Sequence, residues 1–236
     1  MKVRIKFTRQ GAMKFIGHLD IMRYFQKAMR RADVDIRYSE GFSPHQIMSF
    51  AAPLGVGLTS SGEYMDIEVN TMESSAAMVR QLNDVMVEGI QIVSCKKLED
   101  TAKNAMSMVA AADYTVTFRD RYRPKDLDGF FHDLETFYGQ EQILITKKTK
   151  RGEREADLKP LIYDMHREGD SIFMKLSAGS TDNIKPELVL EAFYNQKKLE
   201  FSKLYIQIHR EEVYGVMEQN GSPAFIPLED FGEDIE

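Results

Sequence analysis

The sequence predicts an α+β protein built from two tandem β-α-β-β-α-β units. Three observations carry this. Short runs that alternate apolar with polar residues and longer runs with apolar residues every three or four positions follow one another in the same order twice. Gly and Pro punctuate the joints between them. With 236 residues, 43% hydrophobic and 29% charged, the chain can bury one large core or two small ones, which excludes a disordered chain.

In the first unit, Val3–Phe7 alternates apolar with basic residues and reads as a half-buried strand, followed by a turn at Gly11. From His18 to Val34 the period changes. Ile21, Phe25, Ala28 and Ala32 recur at helical spacing with Met22 and Met29 beside them, while Arg23, Lys27, Arg30 and Arg31 lie on the opposite side. Asp35–Ser39 reads as a short strand and Gly41-Phe42-Ser43-Pro44 as a loop. Gln46–Ala51 and Glu63–Val69 are strands, with Pro53, Gly55, Gly57 and Gly62 between them. Ser74–Val87 is a second helix, with Ala77, Met78, Leu82, Val85 and Met86 inward and Gly89 as its expected C-terminal cap. Ile90–Cys95 is a strand.

The second unit repeats the order. Tyr114–Phe118 is a strand, Pro124–Tyr138 a helix closed by Gly139, and Gln142–Thr146 the expected second strand. A basic turn, Lys147 to Gly152, opens an insertion after that strand, and Asp157–His166 reads equally as a short helix or a strand because Pro160 interrupts it. Ser171–Leu176, Pro186–Asn195 and Ser202–Arg210 read as strand, helix and strand, the last with Leu204, Ile206 and Ile208 inward. This is the split order of two tandem ferredoxin-like units. It resembles the RAMP-type endoribonucleases and the RNA-recognition domain in architecture, although the aromatic-rich strands with which that domain stacks bases are missing. The expected organisation is 1–104, 105–217 with the insertion, and an acidic tail, 218–236, extended over the surface. Met106–Ala112 reads equally as a helical linker.

The net charge of −6 conceals an asymmetry. Residues 1–48 carry ten bases against four acids, whereas 211–236 carry eight acids and no base. The first block could attract a polyanion, and the second would repel one or fold back on the base-rich residues. The opening Met-Lys-Val-Arg-Ile-Lys-Phe alternates charge with hydrophobe instead of forming a signal-peptide core, and no apolar run approaches a membrane span. A cytoplasmic protein without a membrane is expected. Cys95 stands alone, which excludes an internal disulfide, a zinc ribbon and the three-cysteine cluster of a radical enzyme.

Arg23, Lys27, Arg30 and Arg31 fall at i, i+4, i+7 and i+8, one helix face that could track phosphates, with Tyr24 at its edge for stacking. The alternative is a solvated face with cations favoured by the helix dipole. Lys147, Lys148, Lys150 and Arg151 would add a second RNA contact. His18, His45 and Glu40 are the types that could run acid–base chemistry on a phosphodiester, though a helix start and a packed loop explain them as well. His18, Asp20, Glu40 and His45 have no spacing that compels a metal site, and Gly55-Val56-Gly57 lacks the Lys and helix start of a phosphate loop.

Ile16-Gly17-His18-Leu19-Asp20, Tyr38-Ser39-Glu40-Gly41-Phe42-Ser43-Pro44-His45, Ser49 to Gly57 and Ser61-Gly62-Glu63-Tyr64 together resemble a bacterial radical-SAM-linked family, whose members occur alone or as the C-terminal part of a radical SAM protein. Ser43 stands where that family usually has Asn. The resemblance implies a motif loop of Tyr38, Ser39, Gly41, Phe42, Pro44, Gly55, Gly57 and Glu63, and supplies no catalytic residue. It also implies a partner: S-adenosylmethionine and an iron–sulfur cluster would sit in a separate radical SAM protein, with no cofactor in this chain. The expected role is an accessory or substrate-binding subunit in RNA or ribosome-related modification, with no catalysis of its own. A stand-alone RNA-binding protein or metal-independent endoribonuclease, and a protein-interaction module, are the alternatives.

Overall fold

The chain is an α+β protein, described in a computed structural model over residues 1–149, 152–180, 182–219 and 221–236. In chain order the elements are β1 (Lys2–Arg9), α1 (His18–Arg31), β2 (Met48–Phe50), β3 (Thr59–Glu68), α2 (Ser75–Asn83), β4 (Ile90–Leu98), α3 (Ala105–Met108), β5 (Ala111–Phe118), α4 (Leu127–Tyr138), β6 (Leu144–Thr149), β7 (Gly152–Asp157), β8 (Ile162–Glu168), β9 (Ser171–Ser177), α5 (Pro186–Gln196), β10 (Ile206–Gln219) and β11 (Ser222–Pro227). They form two compact units, Met1–Ala110 with Arg210–Glu236, and Ala111–His209.

In the first unit β1 lies between β4 and β3, antiparallel to both, and β2 pairs with β3 at Met48↔Ile67. The alternation of β1 sends Val3, Ile5 and Phe7 into a core with Ile21, Phe25 and Met29 of α1 and Met78 and Leu82 of α2. The Phe7 and Phe25 rings meet at 4.7 Å. Full burial of each such side chain is worth about 1.5–3 kcal/mol, so this core fixes α1 on the sheet. Ser74 caps α2, its hydroxyl accepting from the Ala77 N–H. Contrary to expectation, α2 ends at Asn83, not at Gly89. The Asn83 amide bonds both the N–H and the C=O of Ile92 in β4 and so turns the chain early. Gly89 serves the entry to β4 instead: its φ is +91°, and a Cβ there would stand 2.6 Å from the Gln10 carbonyl oxygen.

In the second unit the sheet order is β10-β5-β9-β8. Phe131, Leu134 and Phe137 of α4 and Val189, Leu190 and Phe193 of α5 are buried, as are Ile172, Met174 and Leu176 of β9. The β-α-β-β-α-β order holds, but its second strand is β8, from the ambiguous stretch, and the expected strand Gln142–Thr146 falls in β6 of an inserted β6-β7 hairpin. The hairpin is closed at its base by Asp157, whose carboxylate accepts from the N–H groups of Ile143 and Lys159. Pro160 sits in a 3-10 turn, after which Ile162 opens β8. Leu204, expected inward, is exposed in another 3-10 turn, and the strand begins at Ile206.

The C-terminal residues differ most from expectation. Instead of an extended tail over 218–236, β10 continues to Gln219, β11 pairs back on it, and a 3-10 turn, Leu228–Phe231, buries Leu228 in the first unit. The boundary between the units lies at Ala110/Ala111 and returns at His209/Arg210.

Candidate nucleic-acid interface

The alternation that buries Val3, Ile5 and Phe7 aims Lys2, Arg4 and Lys6 at the other face of the sheet. That face is filled. Arg4 is 0% exposed; its Nε and Nη2 donate to the two oxygens of Asp66 at 2.8 and 3.0 Å, and Nη1 donates to the Leu228 carbonyl. Asp66 also accepts the Ala105 N–H at the start of α3. Lys6 donates to Glu212 and Glu229, each at 2.6 Å, and Ser94 donates to Glu229. Burial works against the Lys6 ammonium, but the two carboxylates outweigh it and raise its pKa. Glu229 is lowered in turn: burial opposes ionisation, and the hydrogen bonds from Lys6 and Ser94 overcome it. Lys96 and Lys97 pair with Asp234 and Glu233. The acidic C-terminal segment therefore folds back on cations of β1 and β4. Arg9, 2% exposed, donates to the carbonyls of Met13 and Ile16 and holds the turn before α1. Much of the basic block of residues 1–48 is thus internal structure.

The cations of α1 do reach the surface. Its inward stripe is buried, and Arg23, Lys27, Arg30 and Arg31 are all exposed. Arg23 pairs with Asp20 at 3.0 Å on an open surface, an interaction worth little and readily exchanged for a ligand. Arg31 lies over the Tyr24 ring and donates to the Val85 carbonyl. Tyr24 is accordingly spent: its hydroxyl accepts from the Val87 N–H and reaches Met86, so it is not the stacking edge expected. The available ring is Tyr38, 45% exposed, which shares a cleft of about 440 Å³ with Arg30, Asp33 and Asp35. Asp35 is held below its ordinary pKa by hydrogen bonds from Asn70 and Thr71, so its negative charge tempers Arg30. Lys27 and Arg30 make no ion pair among the described residues.

Sequence reasoning missed Gln46, which fixes the loop against this helix. Buried between Tyr38 and α1, its amide donates to the Gln26 carbonyl at 3.3 Å. Nothing in its residue type or spacing marks it. Beyond it the motif loop closes on itself: the His45 Nδ1 and Ser39 Oγ lie 2.9 Å apart and the Ser39 N–H donates to the His45 carbonyl. Gly41 turns with φ +107°, Phe42 is wholly exposed, and Glu40, Ser43 and Pro44 are exposed. His18 sits elsewhere, its ring edge-on to Phe50 at 5.5 Å. No hydrogen bond or ring contact joins the two histidines among the described residues. Gly57, with φ +94°, donates to the Lys14 carbonyl beside Gly55 in a tight turn. Glu63 is not on a loop at all: it is buried in β3 and paired with Arg210. Lys147 and Lys148 lie on β6 opposite Arg154 and Glu153, while Lys150 and Arg151 lie outside the described residues.

Among the described residues no three His, Cys, Asp or Glu side chains group to hold a metal, and no helix is long and apolar enough to cross a membrane.

A bacterial family described as an uncharacterized protein conserved in bacteria (DUF2344) matches residues 2–186. The chain belongs to this family. The match spans all four motif segments and the whole first β-α-β-β-α-β order of this DUF2344 chain. No curated protein matches it. A solved structure titled as the crystal structure of a Cbf5-Nop10-Gar1 complex is similar at 10% identity with a TM-score of 0.44, over 89% of this chain and 48% of that one. The chain thus spans about half the length of that neighbour.

Proposed function

We propose that this chain is a non-catalytic, RNA-binding accessory subunit that presents its substrate to a separate radical SAM enzyme. The observation that carries the RNA part is the exposed basic face of α1, four cations on a helix locked by its buried stripe, with Tyr38 alongside. Cations so held neutralise phosphates of a polyanion and release the counterions condensed on it, a gain that a small acid does not offer. The resemblance of the motif segments supports the partner. Cys95 is consistent with a cluster held elsewhere, since burial pushes its thiol up to about 12, away from the thiolate a cluster needs. No hydrogen bond or ring contact joins His18 and His45 among the described residues, so the proposal gives them no joint acid–base role.

The test is the salt dependence of affinity for single-stranded RNA, with and without reversal of Arg23, Lys27, Arg30 and Arg31 to Glu. The slope of log affinity against log salt is about −0.7 per phosphate neutralised. Reversal is expected to abolish binding with folding unchanged, and anaerobic pull-down should recover a cluster-binding protein that survives ribonuclease. A flat salt dependence would sink the RNA reading; loss of a protein complex on charge reversal, with no RNA recovered, would instead support a protein-interaction module.

A further inference from the structure

The second unit holds an aromatic pocket in which the motif loop has no part. Tyr122 and Pro124, α4's Phe130 and Asp133, α5's Phe193 and Tyr194, and then Lys197, Leu199 and Tyr205 line a cavity of about 270 Å³. That is at the small end of ligand pockets, which run about 300–1,000 Å³, and suits one ring system. Its walls are rings. Tyr122 and Tyr205 stack with centroids 4.6 Å apart, Phe130 meets Phe193 edge-on at 5.4 Å, and Tyr194 leans on Phe201 at 5.2 Å. Phe193 is buried beneath, while Tyr122 and Leu199 stand exposed at the mouth. Asp133 and Lys197 pair at 2.6 Å on the rim and offer an acceptor and a donor side by side. Burial, and next the neighbouring Tyr205, keep the Tyr194 phenol protonated as a further donor.

The charge around the mouth selects the occupant. The two segments that frame it, 119–125 and 197–203, are rich in cations: Arg123 pairs with Asp170, Lys197 with Asp133, and Arg119 donates to the Ile206 carbonyl, while Arg121, Lys125 and Lys198 make no ion pair among the described residues. Arg121 already lies over the Tyr122 ring. An apolar metabolite has no use for such a rim. Aromatic walls for a π face, hydrogen-bonding groups for a base edge and cations for a flanking backbone are the combination that holds unpaired RNA.

We propose that this pocket captures one unpaired nucleobase of an RNA strand, with segments 119–125 and 197–203 holding the adjoining phosphates. The proposal rests on the RNA reading for the source of the base.

The experiment titrates the intact protein into single-stranded RNA bearing one 2-aminopurine, into the same strand abasic at that position, and into 2-aminopurine riboside monophosphate. Tyr122→Ala, Tyr122→Phe and the four-fold charge reversal on α1 are compared, each checked by circular dichroism. Tyr122 is at the surface, so its truncation spares the core. Stacking on the wild type should change the probe's emission, Tyr122→Ala should weaken the base-bearing strand about ten-fold or more, Tyr122→Phe should restore it, and the abasic strand should bind as weakly as the variant. Equal binding of base-bearing and abasic strands, or an unchanged Tyr122→Ala, would overturn the pocket while leaving the α1 reading intact. Binding of the monophosphate without the strand would overturn the RNA source and leave a free-nucleotide site.

Discussion

At the scale of single residues, the first unit depends on ions that have left water. Arg4 reaches Asp66 through two parallel hydrogen bonds, and Asp66 also holds the Ala105 N–H. Removing one member of such a pair strands the other in a medium that solvates it poorly. Asp66→Ala is therefore expected to cost about 3–5 kcal/mol, read as a shift in the urea midpoint followed by circular dichroism. Arg4→Met with Asp66→Leu should recover part of that loss and not all of it, since the Ala105 N–H stays unpaired. A single variant that unfolds at the wild-type midpoint would show that the pair contributes nothing. The sequence presents Arg4, Lys6 and Arg9 as bases of the same kind as Arg23 and Lys27. For Arg4 and Lys6 only their position in a two-residue period hints that they face away from the core, and no local signal names the partners that bury them.

At the scale of elements, the close approach of β3 and β10 explains why Gly62 stands in an otherwise side-chain-rich strand. A Cβ at Gly62 would lie 2.8 Å from the Glu211 carbonyl oxygen and from the Glu212 Cα, both backbone atoms that cannot swing aside. Gly62→Ala is expected to cost about 1–3 kcal/mol through strand displacement. Gly55→Ala, where a Cβ would make only an ordinary contact of 3.7 Å with Leu58, is the control and should leave the melting temperature nearly unchanged. Equal melting of the two variants would show that β3 and β10 have room to part. Helices were the most legible elements. The stripe of α1 is a local pattern and stands where the sequence places it, and the start of α2 falls within one residue of the expected Ser74, which caps the helix. The end of α2 was not legible, because Asn83 stops it through a bond to Ile92 and not through the glycine that follows.

At the scale of the whole chain, residues 211–236 act as a brace of the first unit. Glu212, Glu229, Glu233 and Asp234 pair with Lys6, Lys97 and Lys96, and Leu228 is fully buried. A chain ending at Met217 should lose stability in thermal melts at neutral pH. The pH dependence has a definite sign. Glu229 is lowered in the fold from its ordinary 4.5, so its contribution is complete above that value and is lost as pH falls through the folded value. Lys6 is raised above 10.5, so its contribution is complete below that value and fades only at higher pH. The gap in melting temperature between full-length and shortened chains should accordingly be widest near neutrality and narrow below about pH 4.5. A gap that stays constant through acid would assign the brace to Leu228 and the strand pairing alone.

The amino-acid sequence by itself determined the repeated β-α-β-β-α-β order, the inward stripes of α1 and α2, and the base-rich outer face of α1. These are periodic properties, written in residues three, four or two positions apart. Only the tertiary structure decided which charges remain in water. Arg210 finds Glu63 across 147 positions and Arg4 finds Leu228 across 224, and pairing at that range leaves no periodic trace. The same reason hid the aromatic pocket: Tyr122, Phe130, Tyr194 and Tyr205 belong to four separate stretches of chain, and it is packing of α4 and α5 that brings their rings together.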